Sequence, residues 1–179
     1  MVLSSPSHSR EHEQRHDGEQ FQEPITWASP ALFEIFSFPI ARGNEARPLP
    51  DKHSAVISPA IAEKYFGDAD PIGQQLVIDF ETTYTITGLL EEIPGNSTIQ
   101  LGIVVPITSS SQYEQFQTSW NSSFLSTYVL LNEGATPDAL TSQFPAFVTS
   151  IWDAETASRT NFKLLPLAAG PVVGRLRLQ

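Results

Sequence analysis

Three times in this chain a hydroxyl residue is followed by proline and then by an apolar run, at Ser29-Pro30, Ser58-Pro59 and Thr136-Pro137. A hydroxyl oxygen can accept from the free N–H groups of a helix's first turn, and proline fits the first helical position, where its missing N–H costs nothing. Each pair predicts a helix start. The first helix places Leu32, Phe33 and Phe36 inward and stops before Phe38-Pro39. The second buries Ile61, Ala62, Tyr65 and Phe66 and ends at Gly67, a residue suited to the left-handed conformation that closes helices. The third carries Leu140, Phe144, Phe147, Val148 and Ile151 along one stripe, with Pro145 kinking or splitting it.

Strand candidates lie between these helices, at Ala55 to Ile57, Gln75 to Asp79, Thr83 to Leu90, Leu101 to Pro106, Phe124 to Leu131 and Phe162 to Leu165. From Tyr84 to Leu89 apolar and small polar residues alternate with period two, as in a strand with one covered face. Glu81-Thr82-Thr83-Tyr84 joins two strands of a hairpin, and Glu92 to Ser97 is a turn. Several of these strands follow one another too closely for helical crossovers. The expected fold class is α+β, with mixed or antiparallel sheets and short helices.

A chain of 179 residues with 40% hydrophobic content can bury roughly 70% of its unfolded surface. It contains no cysteine, which excludes disulfides, thiolate metal sites and cysteine nucleophiles. A net charge of −10 without any basic cluster argues against nucleic acid or an anionic membrane surface as a partner. No apolar run approaches the ~20 residues of a membrane span, and Met1 to Ser5 lacks the layout of a signal peptide.

Residues 1–22 have Val2 and Leu3 as their only large aliphatics and are expected to form a flexible polar arm, or a helix only if a partner supports it. Residues 23–179 form the core domain. His8, His12 and His16 recur every four residues, which on a helix would stack three imidazoles within reach of one Zn²⁺ or Ni²⁺. No apolar face is present to hold that helix, so the expected metal site is none. His53 reads as a surface residue.

Acid–base chemistry needs two carboxylates held in a cleft. Asp68, Asp70, Asp79, Glu81, Glu91 and Glu92 all fall at turns or strand ends, where acidic residues are ordinary. No Gly-x-Ser-x-Gly elbow, phosphate loop or dinucleotide fingerprint occurs, and Ser109-Ser110-Ser111 reads as a loop leading to a helix cap. The two sequons, at Asn96 and Asn121, matter only in a secretory eukaryotic context. Phe33, Phe36, Phe38, Tyr65 and Phe66 have helix-face spacing and read as core rather than as pocket lining. Trp27, Trp120 and Trp152 have no place that periodicity assigns. No catalytic or cofactor-binding residue and no cofactor is expected.

Taken whole, the stretch from Trp27 to Pro106 resembles the MacB-like periplasmic core domain of ABC-transporter permeases, the MacB/FtsX family. The carrying residues are Ser29 to Ile40, Ala55 to Ser58, Ala62 to Leu76, Tyr84 to Leu90, Ile93 to Ser97 and Val104 to Pro106. Within them Asp70-Pro71-Ile72-Gly73 makes a tight turn after Phe66-Gly67 ends a helix. Phe162 to Leu167 resembles the final strand of such domains. The resemblance implies two α+β subdomains, one porter-like, on the periplasmic side of the bacterial inner membrane.

It further implies a non-catalytic module that passes ATPase-driven movement outward. Its partners would be the transmembrane helices of the same permease, a separate cytoplasmic ATPase, a second permease copy in a homodimer, and a periplasmic protein. The strand-helix-strand expected ahead of Trp27 is replaced by the polar arm, so the chain is expected to lack the usual N-terminal half. A stand-alone secreted or periplasmic protein that binds a small molecule or peptide is the alternative function, and a hydrolase using the acidic turns is the third.

Overall fold

A computed structural model describes residues 2–4, 12–16, 19–78, 82–97, 99–113, 126–166 and 173–178. Its first organising element is the strand β6 (Ser54–Ile57), in which all four residues are buried, the signature of a strand covered on both faces. Ala55 and Ile57 face one layer and Val56 the other. The first layer is helix α2 (Pro59–Phe66), which begins as predicted, with Ser58 Oγ accepting from the Ile61 N–H at 3.3 Å. It ends where Gly67 takes φ 55°, the positive value that glycine tolerates best. Its Ile61, Ala62 and Tyr65 pack on Leu76 and Ile78 of β7 (Gln75–Ile78), Tyr84 and Ile86 of β8 (Thr82–Leu90), and Ile103 and Val105 of β9 (Ile103–Pro106). Side chains buried this fully contribute about 1.5–3 kcal/mol each.

Along β8 the predicted alternation holds: Tyr84, Ile86, Gly88 and Leu90 are buried while Thr83 and Thr85 are exposed. β8 pairs antiparallel with β7 and with β5 (Ile40–Gly43), and parallel with β6. β6 pairs antiparallel with β9, which runs parallel to β4 (Ile25–Ala28). The sheet is therefore mixed, as expected.

The opposite face is covered by α1 (Ala31–Phe36), whose Leu32 and Phe33 meet Val56, Leu90 and Val104. The cap position falls on Pro30 rather than Ser29, and Ser37 closes the helix with φ 51°.

The segment expected as a flexible arm contains three strands. β1 (Val2–Ser4) pairs with β10 (Ser126–Leu130), and β2 (His12–His16) forms an antiparallel hairpin with β3 (Glu19–Glu23) that joins β7 through Gln14 and Arg15. A division at residue 22 would cut β3. Sheet pairing is made by backbone N–H and C=O groups and needs no apolar side chain, so an open sheet edge can recruit a polar segment. Strand form also removes the helical histidine stack. Positions 12 and 16 lie about 13 Å apart along a strand, against about 6 Å along a helix; His8 falls outside the described residues.

A second, four-stranded sheet has the order β1, β10, β12 (Val173–Leu178), β11 (Phe162–Pro166). β11 is not the last strand, as the resemblance implied, because β12 follows it and pairs with it from Phe162 to Pro166. Three short helices accompany this sheet: α3 (Pro137–Thr141), α4 (Phe144–Ile151) and α5 (Ala154–Arg159). Pro145 splits the expected third helix, lying in the first turn of α4, where its absent N–H would have had no partner. Phe144 and Val148 are buried with Phe162, whereas Phe147, expected on the buried stripe, is 42% exposed at its edge.

Asp153 caps α5, its carboxylate accepting from the Glu155 and Thr156 N–H groups at 3.0 Å and from the Thr156 hydroxyl at 2.9 Å. The Thr156 N–H bond, then the Thr156 hydroxyl, holds the Asp153 carboxyl below its usual range despite its exposure. A depressed folded-state pKa contributes stability that is present above the unfolded value and lost as pH falls through the folded one. Amide exchange at Glu155 and Thr156 should therefore accelerate as pH is lowered from about 4 toward 2, beyond the intrinsic pH trend of free peptides. Asp153→Asn should remove most of that excess.

Candidate functional site

The acidic residues singled out from the sequence form no buried carboxylate pair among the described residues. Asp68, Glu91 and Glu92 are exposed, and Asp79 and Glu81 fall outside the described residues. Asp70 is engaged in structure: it pairs with Arg42 of β5 and accepts the Ile72 N–H at 3.1 Å, bracing the turn before β7. Both partners are 53% exposed, so the pair contributes little to stability. His53 is exposed, as expected, with its ring 6.4 Å from Tyr84. Among the described residues no group of three His, Asp or Glu could hold a metal ion. Among the described residues Tyr65 is the strongly perturbed group: burial, and then the Glu23 carboxylate nearby, push its hydroxyl above the ordinary phenol range and keep it protonated.

What the sequence residues do bring together is a joint. Helix α1 lies on the large sheet through Leu32 and Phe33, and its last residue, Phe36, sits edge-on to Tyr128 of β10 with ring centroids 4.9 Å apart. β1 also lies against α1 and β4. The two sheets thus have separate cores, and meet through one face of α1 and the β1 strand. The Phe144, Val148 and Phe162 cluster, with Trp152 against it, belongs to the smaller sheet alone. Trp27 packs on the larger core from β4.

On the other side of α1 runs the connection between β5 and β6. Gly43 pairs with Gly88 of β8 at φ 101°, and an added Cβ there would stand 2.3 Å from the Thr87 carbonyl oxygen. Thr87 Oγ1 donates to the Pro48 carbonyl at 2.6 Å, and the Asn44 side chain accepts the Arg47 N–H at 3.0 Å. Leu49 is 5% exposed, so the connection is tied to the sheet at both ends. Between it and α1 lies an open cleft of about 600 Å³. Periodicity gave no signal for this wall; its clues were the glycine at position 43 and the prolines at 48 and 50.

A family model described as the MacB-like periplasmic core domain matches residues 3–147. The chain belongs to this family. The match takes in the N-terminal segment first read as an arm, and it contains α1, the 43–50 connection and Tyr128. Among solved structures, a domain described as that of a permease protein from Porphyromonas gingivalis superposes with a TM-score of 0.67 at 22% identity. That alignment covers 87% of this chain and 72% of the other. The periplasmic region of MacB from Actinobacillus actinomycetemcomitans gives 0.58 at 8% identity, over 84% of this chain and 65% of that one. At these identities the likeness is one of fold. No curated protein matches the chain. As a MacB-like periplasmic core domain it lies on the extracytoplasmic side, and no described helix is long and apolar enough to cross a membrane.

Proposed function

We propose that this domain is the non-catalytic, extracytoplasmic part of an ABC-type permease and passes movement driven by a cytoplasmic ATPase from the membrane to the periplasm. Its partners are then the transmembrane helices of the same permease, that ATPase, a second permease copy and a periplasmic protein or substrate. The observation that carries this is the division into two cores that touch at α1, with Phe36 on Tyr128. Packed units that meet through a helix face and a strand can shift by hinge or shear, and such shifts convert a small displacement at one end into a surface change at the other. The matched family favours a mechanical role over a chemical one.

The joint is testable in the full-length permease assembled with its ATPase. ATP binding should change amide exchange in both the α2 region and the α3–α5 region. Phe36→Ala should leave the change at α2 and reduce the change at α3–α5 by more than half, while Tyr128→Phe, which keeps the ring, should preserve both. An unaltered ATP response at α3–α5 in Phe36→Ala would remove the joint from the pathway.

A further inference from the structure

The cleft between α1 and the 43–50 connection borders the joint, since the Phe38 ring that lines it lies 5.8 Å from the Phe36 ring, and it has the dimensions of a binding site. Its volume of about 600 Å³ lies within the range of small-molecule pockets. Phe38 and Ile40, both half-buried, supply accessible aromatic and aliphatic lining, while Phe33 and Leu49 at the same cleft are buried in the core. One wall is preformed, because the Thr87 to Pro48 bond and the Asn44 to Arg47 bond fix the connection on the sheet. A preformed wall spares a ligand the cost of ordering it.

The charges at the cleft select among ligands. Glu34, in the first turn of α1, and Glu45 both line it, both are exposed, and neither has an ion-pair partner among the described residues. Arg47 lines it too, but its guanidinium donates to the Pro50 carbonyl at 3.4 Å, within its own connection. The lining therefore carries two carboxylates against one guanidinium, in a chain whose net charge is −10. An anion entering would meet repulsion from both; a cation would be attracted by both and by the field of the whole domain. The half-buried Phe38 ring adds a face of the kind that attracts a cation.

We infer that this cleft binds a small organic cation with an aromatic or aliphatic body, the body against Phe38 and Ile40 and the cationic group drawn by Glu34 and Glu45. The test uses three probes that share one body: 4-phenylbutylammonium, 4-phenylbutanol and 4-phenylbutanoate. Each is titrated at pH 7 and low salt into the isotope-labelled domain, with amide shifts followed at α1 and at residues 43–50. The expected order of affinity is ammonium, then alcohol, then carboxylate. Glu34→Gln with Glu45→Gln should weaken the ammonium about five- to twentyfold and leave the alcohol within about twofold, since exposed pairs contribute modestly each. Both glutamates are exposed and unpaired, so this variant should fold; its unperturbed spectrum without probe verifies that. Shifts that map elsewhere, carboxylate binding as tightly as ammonium, or a glutamine variant that keeps the ammonium affinity would each overturn the proposal.

Discussion

Gly43→Ala should lower the stability of the domain by about 2–4 kcal/mol, or roughly 6–12 °C in melting temperature for a chain of this size. Two costs add. At φ 101° any β-carbon meets backbone strain, about 1–3 kcal/mol. The new methyl group would also stand 2.3 Å from the Thr87 carbonyl oxygen and 2.9 Å from the Gly88 Cα, atoms that belong to backbone and cannot rotate away. Relief requires β5 to lift from β8, which breaks the Asn44 N–H to Thr87 bond and loosens the 43–50 connection. Gly134→Ala is the matched control: its φ of 80° carries the strain, but nothing lies within 4 Å of the added carbon. Urea unfolding of the two variants separates the terms. If both lose the same stability, the close approach of β5 to β8 is not the dominant cost.

Phe162→Ala should cost about 3–5 kcal/mol, confined to the smaller sheet. Phe162 is 8% exposed and is the ring on which that core is assembled, with Phe144, Phe147 and Trp152 centroids 5.8–6.0 Å away. Its loss leaves a cavity at the centre of this ring cluster, which its neighbours can fill only in part. Trp152 reports on this core and Trp27 on the larger one, so with Trp120 replaced by Phe the emission of the two can be followed during urea unfolding. The Trp152 transition should move to lower urea and separate from the Trp27 transition. Phe147→Ala, at a residue 42% exposed, should cost only about 1 kcal/mol. A single transition in Phe162→Ala, seen equally by both tryptophans, would mean that the two cores unfold as one.

These two positions mark what the sequence could and could not disclose. Helix α2 was legible entirely, because its cap, its first proline, its buried face and its terminating Gly67 all lie within ten consecutive residues. Strand β8 was legible from its alternation, and β6 and β9 from short apolar runs. The β2–β3 hairpin was not, since it joins the sheet through backbone pairing of Gln14 and Arg15 with Ile78 and Val77, which leaves no apolar pattern in the sequence. Helix α5 left a signal that went unread: Asp153 with Glu155 and Thr156 is a capped first turn.

At the joint, Phe36 was readable as buried, but its partner Tyr128 belongs to another sheet, and no local pattern pairs them. The wall of the cleft depends on a hydrogen bond from Thr87 to Pro48, a contact between segments far apart in the chain. The ordered run from Ser29 to Pro106 carried the family, and it lies wholly within the matched residues 3–147.

Transmission through this domain requires relative movement of the two cores, and a distance across the joint tests it most directly. The domain has no cysteine, so Glu63→Cys on α2 and Ser158→Cys on α5, both exposed, place one spin label on each core. In the full-length permease assembled with a hydrolysis-deficient ATPase, the label-to-label distance should shift by roughly 2–5 Å between the nucleotide-free and ATP-bound states, the scale of helix and interface displacements in switching proteins. Superimposable distance distributions in the two states, with nucleotide binding verified, would contradict transmission through this domain's joint.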